Sequence, residues 1–473
     1  MDEKSPSTPS SWPASPALLP QLHSITPREM FSDRMIFGPK VVRSSSKLTR
    51  FISSWQIVIM SGLPARGKSY ICKKLKRYLN WMGFRTEVFN VGHRRRMDPQ
   101  ASHHDHHFFD PNATEHQQQR EHYAMVVLDE LMIWLSAGGG QVAIHDATNT
   151  TVARRRALIE KIRRRFRPDE VVPIVIESQC SDQAILEANI RMKVHSPDYV
   201  NVPADVAIQD FKQRLLNYEK AYQAVGPAEE QDGVAYIRIE NVGTKVTAFN
   251  VQGYLESQMV FYLMNIHIIK RTIWLTTHGQ SVACVPGAEA MLTESGKRYS
   301  AALSRFMDGR YPAALESAMV NGNQPKKLEV WTSMLRRSID MAEYLSPGYT
   351  YKHSAFLDEF YAGEFDRLSA THDEQDHQTR TALLVERLRP LIIELERIRH
   401  SVLIVARDAV LSVLYSYFFD VAPNEALKQV RIPEHVLVGL RPMPFGTEVV
   451  CYTYDDTKDA FVEHPSLCLH SKP

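Results

Sequence analysis

The segment GLPARGKS, Gly62 to Ser69, lies between a short apolar run ending in glycine, WQIVIMSG, and a helix-like stretch that begins at Lys68. It fits the pattern GxxxxGK[ST] in the strand, turn and helix context that gives the pattern its meaning. Gly62 and Gly67 let the backbone fold tightly, so that its N–H groups point inward at a phosphate. The start of the helix adds positive partial charge. Lys68 is then expected to reach β- and γ-phosphates, and Ser69 to ligate Mg²⁺. A purely structural glycine turn would leave Lys68 and Ser69 without a reason.

Strand–turn–helix is also the opening of an α/β domain. Further strand-like runs, QVAIHDAT and VVPIVIES, alternate with helical patterns at Glu115 to Ser136, Val152 to Arg165 and Asp182 to Val194. That alternation predicts a parallel sheet covered on both faces. A second α/β series starts near Arg271. Its strands are TIWLTTHG, ending at His278, KLEVWTS, ending at Ser333, and SVLIVARD, ending near Arg407. Helices are expected at Thr293 to Asp308 and Thr381 to Arg399. The boundary falls near Asn265 to Lys270, dividing the chain into residues 51–265 and 266–473, with no internal repeat. A length of 473 residues accommodates roughly three average domains or two larger ones. Residues 1–50 read as a disordered tail, with five Pro and five Ser in the first twenty positions. Arg43 precedes Ser45 and Ser46 at a spacing that suits a basophilic kinase, and equally a plain solvated tail.

Composition excludes several classes. Hydrophobic residues make up 44% and charged residues 23%, which rules out a wholly disordered chain, a collagen-like fibre and a disulfide miniprotein. Lys plus Arg is 56 and Asp plus Glu 54, a formal charge of +2. Such balance argues against a chain that coats nucleic acid or acidic membrane. The five cysteines, Cys72, Cys180, Cys284, Cys451 and Cys468, form no CxxC pair. This suggests a reducing compartment without disulfides or structural zinc. The N-terminus lacks a secretory pattern, and the apolar run Ser401 to Phe419 is broken by Arg407 and Asp408. It reads as a strand followed by a helix, so a cytoplasmic protein is expected.

Asp146 closes the strand QVAIHD. An acid there stands near the metal or acceptor hydroxyl in P-loop folds. The alternative, an N-cap for the helix from Val152, suits Thr150 or Thr151 better. Arg94, Arg95 and Arg96, and again Arg154, Arg155 and Arg156, form basic triplets. They are either solvated faces or guanidinium forks for a phosphorylated acceptor, and spacing alone does not decide. The run His103 to His107 has no distant ligand motif to complete a metal site.

The segments GLPARGKSY, KRYLNWMG, DATNTT, ESQC, SPDYV and FYLMNIH resemble the 6-phosphofructo-2-kinase/fructose-2,6-bisphosphatase family, in order over about residues 50 to 450. The resemblance implies that Gly62, Leu63, Pro64, Ala65, Arg66, Gly67, Lys68, Ser69 and Tyr70 bind ATP, with Asn189 and Lys193. Lys68, Asp146 and Cys180 fall in the catalytic set, Mg²⁺ resting on Ser69 and Asp146. Nothing in the reaction requires the Cys180 thiolate, and a buried packing role is its alternative. Arg95, Arg120, Thr148, Arg154, Lys193, Arg214 and Tyr218 match positions that hold fructose 6-phosphate. The implied reaction moves the ATP γ-phosphoryl to the sugar 2-hydroxyl and makes fructose 2,6-bisphosphate, a regulator of glycolysis. A homodimer is also implied.

The C-terminal half resembles the phosphoglycerate mutase-like histidine phosphatases, in which a strand-end Arg-His-Gly carries the nucleophile in a cationic pocket. His278, Gly279, Arg337 and Glu359 keep part of that set. Thr277 stands for the first Arg, Gln280 for the usual Glu, and Arg407 for the second His. Arg407 cannot relay protons at neutral pH as His does. A kinase with its bisphosphatase activity lost is therefore expected. The alternatives are a bifunctional enzyme with a rebuilt phosphatase site and a catalytically silent metabolite-binding scaffold.

Overall fold

The computed structural model describes residues 55–98, 106–194, 197–282, 290–311, 327–358, 374–443 and 446–464. The N-terminal tail with Ser45 and Ser46, the first part of the histidine run (His103, His104 and Asp105), Cys284, Glu359 and Cys468 lie outside the described residues.

The N-terminal half is a six-stranded sheet of β1 (Trp55–Ser61), β2 (Thr86–Asn90), β3 (Val142–Asp146), β4 (Val171–Gln179), β5 (Ala235–Glu240) and β6 (Lys245–Phe249), in the order β2-β3-β1-β4-β5-β6. All neighbours are parallel except the edge strand β6. The helices are α1 (Lys68–Trp81), α2 (Val91–Arg96), α3 (Thr114–Ser136), α4 (Val152–Arg165), α5 (Gln183–Val194), α6 (Ala204–Ala221), α7 (Pro227–Gln231) and α8 (Tyr254–Leu263). The central strand β1 explains the layering. Ile57 and Ile59 enter one apolar layer with Leu128 and Leu158, and Val58 and Met60 enter the other with Leu75 and Tyr78. This period-two alternation, apolar on both faces, is what a doubly covered parallel strand requires. The chain leaves β1 towards β2 and β3 on one side and reaches β4 on the other. The carboxyl end of β1 is thus the switch point where open sheets place ligands.

In the C-terminal half the strands are β7 (Ile273–Thr276), β8 (Ser281–Val282), β9 (Met291–Leu292), β10 (Leu328–Thr332), β11 (Thr350–His353), β12 (Ser401–Val405), β13 (Val436–Met443), β14 (Gly446–Asp455) and β15 (Ala460–Glu463). Seven of them form a sheet in the order β11-β10-β12-β7-β13-β14-β15, while β8 and β9 pair separately. The first four of the seven are parallel and the last three antiparallel. The helices are α9 (Glu294–Asp308), α10 (Arg336–Ala342), α11 (Glu374–Arg397), α12 (Asp408–Phe419) and α13 (Pro423–Gln429). The expected α/β class is found in both halves, a glycine-turn α/β unit with a mostly parallel sheet followed by a second α/β unit with a mixed sheet. Several boundaries move. The strand expected to end at His278 stops at Thr276, leaving His278 just past the sheet edge, and the last long helix begins at Glu374 rather than Thr381.

One apolar layer is shared by both sheets. Val58, Leu75, Tyr78, Trp81 and Tyr262 belong to the same buried cluster as Leu275, Leu388, Val413 and Tyr417. Among the described residues, no helix is long and apolar enough to cross a membrane.

Candidate active site

The turn after β1 is held open from three sides. Gly62 has φ +125°, and a Cβ there would come within 2.4 Å of the Ser178 carbonyl oxygen at the end of β4. Only glycine fits both constraints. The Gly62 N–H donates to the Thr148 carbonyl at 2.9 Å, which ties the turn to the segment following β3. Asn189 of α5 donates through Nδ2 to the Ala65 carbonyl at 2.8 Å, and the Ser178 hydroxyl donates to the Arg66 carbonyl. Gly67, with φ +87°, caps α1 in the left-handed conformation. Carbonyls are thereby engaged by neighbouring elements, as an inward-facing N–H cradle requires. A pocket of about 240 Å³ opens beside it, lined by Leu63, Arg66, Gln179, Cys180, Tyr222 and Asn241. Cys180 is buried, and its carbonyl accepts from the Arg66 guanidinium. No contact of its sulfur calls for a thiolate. Tyr70 is the exception to the expected cradle. Its hydroxyl donates to the His267 carbonyl at 2.7 Å, on the connection between α8 and β7.

Lys68 is buried at the mouth of the cradle, and its Nζ donates to the Leu63 carbonyl at 2.5 Å. Burial pushes its pKa down to about 7 against the opposing pull of Asp146, and nearby Lys193 pushes the same way as burial. The Ser69 hydroxyl donates to Asp146 Oδ2 at 2.9 Å, and Asn90 Nδ2 donates to the same oxygen at 2.5 Å. Thr151, not Asp146, caps α4, accepting from the Arg154 N–H. The residues present fit Mg²⁺. Ser69 and Asp146 offer two adjacent oxygen donors, and this ion is held by one or two protein oxygens with phosphates and water completing its shell.

A cluster of charged side chains forms a second group. Arg95, at the end of α2, and Arg214, on α6, both reach Asp198, at 2.7 and 3.2 Å, with Arg96 at 3.4 Å. Burial disfavours the Asp198 charge, yet Arg95, Arg214 and Arg96 hold its carboxyl below the usual range. The Arg214 guanidinium lies 3.7 Å from the Phe109 ring centre, and Tyr218, one turn along α6, packs 5.5 Å from the same ring. Buried Arg214 Nε has no hydrogen-bond partner among the described residues. Arg120 of α3 donates to the Phe108 and Asp110 carbonyls and faces Tyr218 and Arg154. Arg154 is forked onto Glu121, its Nη2 at 2.5 Å from Oε1. Burial lowers the Lys193 pKa, opposed by Asp146 and reinforced by Arg214 and Arg96. The structure therefore brings together Lys68, Ser69, Asp146, Lys193, Arg95, Arg214 and Tyr218. Arg120 and Arg154 flank them, and Thr148 contributes a backbone carbonyl. Sequence reasoning missed Asp198, Ser178 and Asn90, and gave Arg96 no role of its own. Asp198 stood in plain view inside SPDYV, but its ion pairs depend on tertiary structure.

In the other half, register aligns Thr276, Val405 and Thr332 across β7, β12 and β10. The residues just beyond them, His278, Arg407 and the turn leading to Arg337, thus gather at one sheet edge. His278 is buried, with Nδ1 at 3.0 Å from the Gly279 carbonyl oxygen. Burial pushes its pKa down to about 4, and Arg337 and Arg407 push the same way. The Gln280 side chain instead accepts from Thr293 at 3.0 Å, and Thr277 lies 3.5 Å from the Pro433 carbonyl oxygen.

A phosphate cradle, a buried lysine and a serine–aspartate pair at the switch point, with an arginine cluster paired to Asp198, define a P-loop phosphotransferase. Comparison with known proteins narrows the class. The family model for 6-phosphofructo-2-kinase matches residues 43–270. A probable 6-phosphofructo-2-kinase of Schizosaccharomyces pombe is 32% identical, over 97% of this chain and 78% of its own. The 6-phosphofructo-2-kinase 1 of Saccharomyces cerevisiae is 34% identical over 88% of this chain, which spans 54% of that protein. A 6-phosphofructo-2-kinase/fructose-2,6-bisphosphatase of Caenorhabditis elegans is 36% identical, over 84% and 89% respectively. The chain belongs to the 6-phosphofructo-2-kinase family.

Proposed function

We propose that residues 51–265 transfer the γ-phosphoryl group of MgATP to the 2-hydroxyl of fructose 6-phosphate, giving fructose 2,6-bisphosphate and ADP. The carrying observation is the Ser69–Asp146 hydrogen bond at the cradle together with the Arg95–Asp198–Arg214 cluster, which groups cations fit for a phosphorylated acceptor. Arg95 and Arg214, with a spare buried Nε, suit the sugar phosphate dianion. Lys68 and Lys193 compensate the charge on the transferred group while Ser69 and Asp146 hold the metal. The bond from γ-phosphorus to the bridging oxygen breaks, and the bond to the sugar oxygen forms. The hydroxyl proton is released to water or a phosphoryl oxygen as the new bond forms, and the loose transition state asks little of a base. When bound, Mg²⁺ neutralises charge on the β- and γ-oxygens. Positioning and charge compensation supply the rate.

Residues 266–473 are assigned a phosphatase-type fold without bisphosphatase turnover. Thr277 and Gln280 are engaged with Pro433 and Thr293, and Arg407 takes the place of a proton-relaying histidine. One observation favours the bifunctional alternative: His278 is neutral at physiological pH and faces two arginines, as an attacking imidazole would. The test is to incubate purified full-length protein with fructose 6-phosphate and MgATP, and separately with fructose 2,6-bisphosphate. Synthesis without hydrolysis is the expected result. Hydrolysis would establish the bifunctional reading, and absence of both would leave a binding scaffold. The homodimer implied by the family resemblance is read by sedimentation on the same preparation.

A further inference from the structure

The helix that begins at the phosphate cradle is anchored by the opposite half of the molecule. Tyr70, Lys74, Arg77 and Trp81 follow four-three-four spacing and form one stripe along α1. Each is bound outside the N-terminal sheet. Lys74 Nζ reaches both Glu396 oxygens, at 2.9 and 2.6 Å, and Arg77 reaches Oε1 at 2.8 Å. The Trp81 indole N–H donates to the Val413 carbonyl at 3.1 Å. The Arg77 guanidinium also lies 4.4 Å from the Tyr417 ring centre. Glu396, in the last turn of α11, is fully buried, accepts from the Tyr417 hydroxyl at 2.6 Å and has Arg271 at 3.8 Å. Three cations thus share one carboxylate, and the Nε atoms of Arg77 and Arg271 are without partners among the described residues. Remove that charge, and the cations repel one another in a medium that cannot solvate them.

We propose that Glu396 is a positioning residue for the nucleotide site. By holding Lys74 and Arg77 it fixes the axis of α1, and with it the placement of Lys68 and Ser69 at the start of the same helix. The inference rests on the kinase reading above, and it assigns the C-terminal half a part in phosphoryl transfer whatever its own phosphatase activity. The arginine cluster assigned to the acceptor stands on α2 and α6, neither of which bonds Glu396 among the described residues. The defect on losing the carboxylate should therefore fall on the nucleotide side.

The test is Glu396→Gln in the full chain, which preserves shape and removes the charge. Fluorescent mant-ATP binding and steady-state kinetics are measured beside thermal melting. Misplacement of reacting groups on this scale costs between about 10- and 100-fold. The expected result is kcat lowered by that factor and mant-ATP affinity weakened, with the KM for fructose 6-phosphate within about twofold of the unaltered protein. Adding Lys74→Met, which removes one excess cation, should recover part of the loss, an effect that mere loosening of the fold would not give. A folded Glu396→Gln protein with unchanged mant-ATP affinity and kcat overturns the proposal. Should that variant not fold, Tyr417→Phe removes one donor to the same carboxylate. A smaller shift in the same direction is expected, and unchanged nucleotide kinetics overturns the proposal. An unaltered chain that binds mant-ATP but makes no fructose 2,6-bisphosphate refutes the acceptor assignment alone, and the affinity arm still decides on Glu396. An unaltered chain that binds no nucleotide removes both.

Discussion

Lys68 is the residue whose chemistry is most open to measurement. Burial lowers its pKa from 10.5 to about 7, so in the empty site the amine is about half charged at neutral pH. A polyphosphate favours the ammonium form. Binding above pH 7 must therefore take up a proton, about nine-tenths of one at pH 8 if the bound amine is fully charged. Calorimetry of MgATP binding in two buffers of different ionisation enthalpy should show this uptake at pH 8, shrinking towards pH 6. No uptake at pH 8 would mean that Lys68 is already charged in the free protein. The sign for stability is separate. A lysine with a depressed folded pKa costs stability fully below pH 7, and the cost fades as pH rises towards 10.5, where the unfolded chain also loses its proton. Lys74, lowered by burial to about 8, adds a similar cost that fades between pH 8 and 10.5.

At the scale of elements, the cradle was legible because it is local: eight consecutive residues between a strand and a helix encode it. Gly62 carries the sharpest consequence. Its left-handed φ and the 2.4 Å approach to the Ser178 carbonyl mean that Gly62→Ala must push β4 away from the turn. A stability loss of about 1 to 3 kcal/mol is expected. Loss of MgATP binding should accompany it, while Gly138→Ala, also at positive φ but with open space around the added Cβ, should cost stability without affecting nucleotide. Thermal melts with and without MgATP separate the two, and an intact ligand-induced shift in Gly62→Ala would refute the steric account. What sequence could not supply was pairing over long separations. Arg95 and Asp198 lie 103 positions apart, and Arg66 meets Cys180 across 114. For the same reason the burial of Arg95 beside Asp198 and Arg214 could not be read from its place in a basic triplet. Motif adjacency places Tyr70 in the cradle, and its position on α1 points its hydroxyl at the connection between the halves.

For the molecule as a whole, the decisive feature is that one buried layer is common to the two halves, while each keeps a further core of its own. The face of α1 that carries Tyr78 and Trp81 is buried with Tyr262, Val413 and Tyr417, Tyr78 and Tyr262 stacking at 4.2 Å. Sequence divided the chain neatly near residue 266, because domain boundaries are read from strand and helix series. A shared apolar layer leaves no mark in such a series, since Trp81 and Val413 look alike whichever core they enter. The arithmetic of burial then predicts the behaviour of a fragment. A chain of residues 51–270 keeps the cradle, Asp146 and the arginine cluster. It exposes Trp81 and Tyr262, each worth roughly 1.5 to 3 kcal/mol when buried, and returns Lys74 and Arg77 to water without Glu396. Large apolar patches of this kind promote association. The fragment is therefore expected to aggregate or melt well below the full chain, and any soluble fraction to turn over more slowly. Size-exclusion chromatography and kinase assay of the fragment beside the full chain decide the matter. A monodisperse fragment with the full chain's kcat and MgATP KM would show that the C-terminal half is a passenger. The opposite result would give the C-terminal half a structural part in the kinase: its α11 and α12 complete the core on which the P-loop helix rests.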